Sequence, residues 1–290
     1  MSAAQFERVA VVGIGLLGGS VALAAKARGV AGEVVGITRR EETARAATEA
    51  GIVDRAVLSP AEGVAGADLV VLCNPVFAMA ASLSGFAEHV AEGAILTDVG
   101  SVKGPLAETL PGLLPPGAVY VGSHPMAGSH HTGFQHARAD LFDGAACVVT
   151  HSADTDAAAA ERVAAFWTAL GSRVFRRDPT LHDDEVAWIS HAPHAVAFAF
   201  ARALTDSPGP ASELRGPGFR DFTRIAAADP EMWADILVAN RKALAGPLET
   251  TARSLDALAQ SIAAGDTERV QEILASARDT LTGSSEDGAE

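Results

Sequence analysis

The stretch "RVAVVGIGLLGGS", Arg8 to Ser20, limits what this chain can fold into more than any other. A β-branched run gives way to glycines spaced G-x-G-x-x-G, then to small residues of helical character as far as Gly29. Each glycine has its own duty where a strand turns into a helix over a pyrophosphate. Gly13 permits the tight turn, Gly15 lets backbone approach the phosphates, and Gly18 lets helix and strand pack closely. Leu16 and Leu17 begin the helix, whose free N–H groups face the phosphates. A second strand, "GEVVGI", follows at once, which is the context the motif requires. The bland alternative is a glycine-rich turn used only for packing.

Further short apolar runs, "ADLVVLCNP", "GAILTDVGS", "GAVYVGSHP", "AACVVTHS" and "SRVFRRD", alternate with helix-like segments such as "REETARAATEAG" and "DAAAAERVAAFWTALG". Buried strands alternating with helices specify a mostly parallel sheet covered on both faces. Beyond Asp183 no strand is predicted, and Val270, Ile273, Leu274, Ala277 and Leu281 recur at helical spacing. The expected fold class is α/β: a Rossmann-type dinucleotide-binding domain over 1–178, then an all-α helical domain over 179–290 whose polar end, 282–290, is frayed.

The charge balance, 36 acidic against 22 basic residues for a net −14, gives nucleic acid no electrostatic foothold. No run approaches a membrane span and the N-terminus lacks a secretory pattern, so a soluble protein is expected. Cys73 and Cys147 each lie in an apolar run and read as buried thiols in a reducing compartment, which makes the cytoplasm the expected location.

A second strand ending in an acidic residue would suit a free ribose 2′-hydroxyl. This one ends in Thr38, Arg39 and Arg40, a hydroxyl and two guanidiniums suited to a 2′-phosphate, so NADP is the preferred cofactor, with NAD possible; otherwise the arginines are solvated first-turn charges. Asn74, after the strand "LVVLC", joins the cofactor-binding candidates.

The segment "SHPMAGSHHTGFQHA" holds His124, His130, His131 and His136. A catalytic zinc takes three protein ligands, but adjacent His130 and His131 tend to point apart, and no H-x-x-x-H pair accompanies a glutamate, so no metal is expected. In doubly wound sheets the ligand crevice lies at the carboxyl ends of strands. "AVYVGSHP" and "AILTDVGSVKGP" both end there, so His124 and Ser101 are expected to face a nicotinamide ring. Histidine suits a dehydrogenase because its ordinary pKa of about 6.5 lets it accept a hydroxyl proton near neutrality.

Five segments in order, "GIGLLGGS", "DVGSVKGP", "GSHPMAGSHHTGFQHARADLFDGA", "HDDEVAWISHAPHAVAFA" and "GFRDFTRIAAADPEMWADILVAN", carry a resemblance to the prephenate/arogenate dehydrogenase family of tyrosine biosynthesis, over nearly the whole chain. The resemblance implies oxidation of a cyclohexadienol that bears a carboxylate: hydride leaves the carbinol carbon for the nicotinamide, carbon dioxide leaves the quaternary carbon, and the ring aromatises. It implies that His124 draws off the hydroxyl proton, that Ser101 orients hydroxyl and nicotinamide, and that Arg224 holds a substrate carboxylate. It also implies a homodimer built by the helical domain.

In "EVAWISHAPHAVAFAF", His191 and His194 share a stripe, with Pro193 expected to distort the helix; His194 is the stronger candidate for lining the site. Trp233, Ile236 and Leu237 read as core or dimer contact. After "HPMAG" many family members carry a hydroxyl residue and then an acid, whereas this chain has Ser129 and then His130. The loss of the acid favours prephenate over arogenate, whose ammonium it would attract; an amino-substituted analogue stays open. His131 and His136 read as surface or loop contacts. The chain stops at 290 without the regulatory βαββαβ-like domain some relatives append, so any inhibition by tyrosine is expected at the active site or the helical domain.

Two other functions compete. A β-hydroxyacid or imine reductase needs a lysine on the first long helix of the second domain, and none occurs between His182 and Arg202. A non-catalytic NADP-sensing protein needs the glycine loop but neither His124 nor Arg224.

Overall fold

The structure, a computed structural model, describes residues 4–128, 132–152, 155–206 and 214–283. From the N-terminus, β1 (Phe6–Val12), α1 (Leu16–Ala27), β2 (Ala31–Ile37), α2 (Glu41–Glu49), β3 (Arg55–Val57), α3 (Pro60–Val64), β4 (Leu69–Leu72), α4 (Val76–Ser84), β5 (Ile95–Asp98), α5 (Gly104–Thr109) and β6 (Val119–Tyr120) follow one another. The strands form a parallel sheet in the order β3-β2-β1-β4-β5-β6. Alternate residues of β1 explain its unbroken apolar run. Val9 and Val11 enter one core with Phe6, Phe166 and Trp167, while Ala10 and Val12 enter a second with Met79, Phe86 and Leu96. Each fully buried valine or leucine contributes about 1.5–3 kcal/mol. Strand β3 escaped the sequence reading because it is a three-residue edge strand without alternation.

A second sheet follows, built from β7 (Ser123–Pro125), β8 (Ala146–Thr150) and, after α6 (Ala157–Ala169), β9 (Arg173–Arg177). Strand β7 is antiparallel to β8, and β8 is parallel to β9. The expectation that "AVYVGSHP" forms one strand of the parallel sheet is therefore corrected. Val121 N–H still donates to Leu96 C=O, but Gly122 C=O accepts from Thr150 N–H of the second sheet. The crossing needs glycine, since a Cβ on Gly122 would lie 2.5 Å from Thr150 Oγ1 and 2.9 Å from the Tyr120 hydroxyl. His124 thus sits within a strand of the smaller sheet.

Helices complete the described chain: α7 (Pro179–Val186), α8 (Ala192–Ala203), α9 (Pro217–Arg224), α10 (Pro230–Ala239), α11 (Arg241–Ala264) and α12 (Thr267–Gly283). Asp178 starts α7, its carboxylate accepting from Thr180 N–H with Pro179 in the first turn. Between α7 and α8 the backbone widens into a π-turn, Ala187–His191. Pro193, in the first turn of α8, has no N–H for the preceding turn, which gives the expected distortion its form. The frayed end expected over 282–290 is corrected at its start, since Thr282 and Gly283 belong to α12; 284–290 lie outside the described residues. By internal packing the chain divides into two units, 1–241 and 242–290. The second is helical, with Leu255, Ile262, Leu274 and Leu281 exposed. Among the described residues no helix is long and apolar enough to cross a membrane.

Candidate active site

At the carboxyl end of β1 the glycines behave as their spacing suggested. Gly13 has φ +98°, closed to most side chains. A Cβ on Gly18 would lie 2.0 Å from Gly13 C=O, whereas one on Gly15 would meet nothing within 4 Å among the described residues. Gly15 caps α1 without a side-chain bond, no acid stands in the first turn, and Leu16 and Leu17 open the helix. The free N–H groups that open α1, beside a glycine that carries no side chain, are therefore suited to an anion such as a pyrophosphate. At the end of β4, Asn74 Oδ1 is buried beside Gly13 with no hydrogen-bond partner among the described residues, an orphaned acceptor that a nucleotide's donors would satisfy. Arg39 and Arg40 are exposed and, among the described residues, pair with no carboxylate; Thr38 is half-buried before them. A cavity of about 260 Å³ lies between Ile14, Arg40, Thr43 and Ala46 on one side and Gly133 to Gln135 on the other, with Glu42 also on its wall.

One buried carboxylate organises the next loop. Asp98 ends β5, and its Oδ2 accepts from Gly100 N–H at 2.8 Å and from the Lys103 ammonium. Its Oδ1 accepts from the Tyr120 hydroxyl at 2.9 Å and Ser123 N–H at 3.2 Å. Lys103 Nζ also donates to Ser123 C=O at 2.7 Å. Burial pulls the Lys103 ammonium below its usual range while Asp98 opposes the shift. Removing one partner of such a pair costs about 3–5 kcal/mol, because the other charge stays buried. The group ties the loop of Ser101, itself half-buried, to the strand of His124.

His124 is 8 % exposed and lies opposite Val148 across the β7–β8 pairing. Its Nδ1 is 2.8 Å from His182 Nε2, and His182 Nδ1 is 2.8 Å from Asp183 Oδ1. Lys103 N–H donates to Asp183 Oδ1 at 2.7 Å and Gly104 N–H to Oδ2 at 2.8 Å. Burial first, then His182, Lys103 and His191, hold His124 well below the ordinary imidazole range. A neutral imidazole with one nitrogen engaged and the other without a protein hydrogen-bond partner among the described residues has the form a general base requires.

The far wall comes from the helices. Asn240, just past α10, donates from Nδ2 to Asp183 C=O and lies 2.9 Å from His191 Nδ1. Burial lowers His191 to about 4, with Asp183 opposing and the other histidines assisting. His194 Nδ1 donates to Ser190 C=O at 2.8 Å, and its ring stacks on Trp233 at 3.6 Å and 17°. Burial lowers His194, Ser190 C=O opposes, and the nearby Arg224 charge lowers it further. Arg224, at the end of α9, is exposed and, among the described residues, has no carboxylate partner. Trp233 belongs to the core as expected, yet it also fixes the plane of His194.

The structure places His194 near the Arg224 charge and His124 near His191, while Ser129, His130 and His131 lie outside the described residues. His136 ends a short 3-10 turn, Phe134–His136, beside α1. Among the described residues no cluster of His, Cys, Asp or Glu is arranged to hold a metal ion. His182, Asp183 and Asn240 were not singled out from sequence. The only local signal was "PTLHDDE", a His-Asp pair one turn into a proline-started helix, and nothing local says what it faces.

Two family models match the chain, prephenate dehydrogenase, nucleotide-binding domain, over 21–176 and prephenate dehydrogenase, dimerization domain, over 178–276. Prephenate dehydrogenase of Bacillus subtilis is 32 % identical over 281 residues, covering 96 % of this chain and 76 % of that protein. Cyclohexadienyl dehydrogenase of Zymomonas mobilis is 33 % identical over 266 residues, 90 % of each chain. Among solved structures, prephenate dehydrogenase from A. aeolicus in complex with hydroxyphenyl propionate and NAD+ superposes with a TM-score of 0.87 at 31 % identity, covering 96 % of this chain and 98 % of that one. With both models matched across most of its length, the chain belongs to the prephenate dehydrogenase family.

Proposed function

We propose that the protein oxidatively decarboxylates prephenate to 4-hydroxyphenylpyruvate, with NADP preferred over NAD. The observation that carries this reading is His124: a buried imidazole kept neutral, braced by His182, on a strand tied to the Ser101 loop. When bound, the nicotinamide dinucleotide supplies the hydride acceptor, and Gly13, Gly15, Gly18 and Asn74 would hold it. His124 takes the ring hydroxyl proton, Ser101 orients that hydroxyl, and Arg224 offers a guanidinium fork to a carboxylate. His194, its Nδ1 committed to Ser190, presents Nε2 as an acceptor on the same wall. General base action of this kind is worth about 10²–10⁴-fold, or about 3–5 kcal/mol.

NADP is favoured by Thr38, Arg39 and Arg40 in place of an acid, and by the cavity beside Arg40 and Thr43; Glu42 on that wall works against a phosphate. Prephenate over arogenate rests on Ser129 and His130 alone, as residues of the sequence. The reading places the domain junction at Asp178, the protein in the cytoplasm, and the chain in a homodimer in which the exposed leucines of α11 and α12 are covered.

The test is turnover by the purified protein of prephenate and of arogenate, each with NADP+ and NAD+, following reduced cofactor and the phenolic product. Prephenate with NADP+ should give the highest kcat/KM. No turnover of either ring substrate would overturn the function; an NAD+ preference would overturn only the cofactor assignment.

A further inference from the structure

We propose that His182 and Asp183 are positioning residues that fix the tautomer of His124, leaving Nε2 as its basic nitrogen. The inference rests on His124 being the base. The direction of each hydrogen bond follows from what the partners can do. Backbone N–H groups of Lys103 and Gly104 only donate, so both Asp183 oxygens accept. Asp183 Oδ1 then also accepts from His182, which places a proton on His182 Nδ1. A neutral imidazole carries one N–H, so His182 Nε2 is a lone pair. That lone pair accepts from His124, which puts the His124 proton on Nδ1 and leaves Nε2 bare.

The chain is anchored at its far end. Asn240 Nδ2 donates to Asp183 C=O, and through its other hydrogen to His191 Nδ1. Both Asp183 and His182 are buried, so solvent does not compete for these bonds. Other charged or titratable groups near His124 are Lys103 on the loop before α5, His191 on the π-turn, Asp98 at the end of β5, and Cys147 on β8, which the His124 backbone N–H meets. Protonated histidine or lysine there opposes a positive charge on His124, whereas Asp183 acts through His182 to favour it. When His124 Nε2 takes the hydroxyl proton, its Nδ1–H already points along the chain toward that carboxylate, so no side chain has to turn. Forcing the wrong tautomer on a catalytic histidine costs about 10⁴-fold in the Ser-His-Asp triad, where an aspartate plays this part. Here removal of His182 frees the tautomer instead of inverting it, and a smaller loss, about 100-fold, is expected.

Two variants and one spectrum test this. His182→Leu removes the acceptor, while His182→Gln keeps an amide oxygen for His124 and an amide N–H for Asp183. The expected result is a fall in kcat of about 100-fold for His182→Leu, with KM for substrate and cofactor within a few-fold. His182→Gln should recover at least about tenfold of it. The acid limb of its kcat profile should move, because the amide cannot share a proton. Independently of turnover, 15N-resolved NMR of the wild-type protein with cofactor bound should show His124 as the Nδ1–H tautomer, assigned by the signal lost in His124→Ala. Wild-type kcat in a folded His182→Leu variant, or an Nε2–H tautomer for His124, would overturn the proposal. If His182→Leu does not fold, the spectrum still decides. Undiminished turnover in His124→Ala would instead sink the base assignment while leaving the tautomer measurable.

Discussion

His191 offers a test of the buried network that needs no substrate. It is 1 % exposed, and its Nδ1 faces the Asn240 amide at 2.9 Å. Burial above all, with His182 and His194 assisting and Asp183 opposing, drives its pKa down to about 4 from the ordinary 6.5. As pH falls through 6.5 the unfolded chain takes up the proton and the folded one does not, so stability is present above 6.5 and is lost toward pH 4. A difference of about 2.5 pH units at about 1.4 kcal/mol each gives about 3.4 kcal/mol, of which about 3 kcal/mol is lost by pH 4. The assay is urea unfolding of the wild type and of His191→Gln at several values between pH 7.5 and 4, followed by tryptophan fluorescence. Glutamine accepts from Asn240 but takes no proton, so the wild type should lose about 3 kcal/mol more than the variant over that range. His124 and His194, also lowered, titrate in the same sense in both proteins and cancel in the difference. Parallel pH profiles would refute the account of His191.

The glycine loop separates folding from binding. Gly18→Ala, whose Cβ would meet Gly13 C=O at 2.0 Å, should lower Tm and abolish cofactor binding; Gly15→Ala, with open space, should leave Tm within a few degrees and weaken NADP+ binding about tenfold or more, read by thermal shift and calorimetry. Equal cofactor affinity in Gly15→Ala and wild type would remove the cradle argument. His124→Ala should cut kcat by about 10²–10⁴-fold at modest change in KM, while Arg224→Ala should mainly raise KM for the ring substrate. Wild-type kcat should hold down to pH values below the usual imidazole range, since burial keeps His124 neutral there; a fall already centred near 6.5 would contradict that.

What could be read from the residues follows from range. The Gly13, Gly15, Gly18 loop and the runs of β1, β2, β4 and β5 are local patterns, and short-range sterics decide them. The crossing at Gly122 is different: it depends on Thr150 and Tyr120, which are distant in sequence or occupied by Asp98, and no periodicity marks it. His182 gave no signal for the same reason, since the ring it meets, His124, lies 58 positions earlier. Strand position brought His124 forward and resemblance brought Arg224 forward, and neither said what holds them. Conversely Trp233 looked like core and is core, and only the stacked ring of His194 reveals its second task.

The Asp98 cluster has a practical consequence for anyone redesigning this enzyme. Its carboxylate answers to the loop of Ser101, to Lys103, to Tyr120 and to the strand of His124, so a change at any of these is felt by all. Libraries aimed at a new ring substituent therefore have room on α8, α9 and the start of α10, where His194 and Arg224 stand on exposed or half-buried surface. Diversity spent between Asp98 and Ser123 would chiefly return inactive clones.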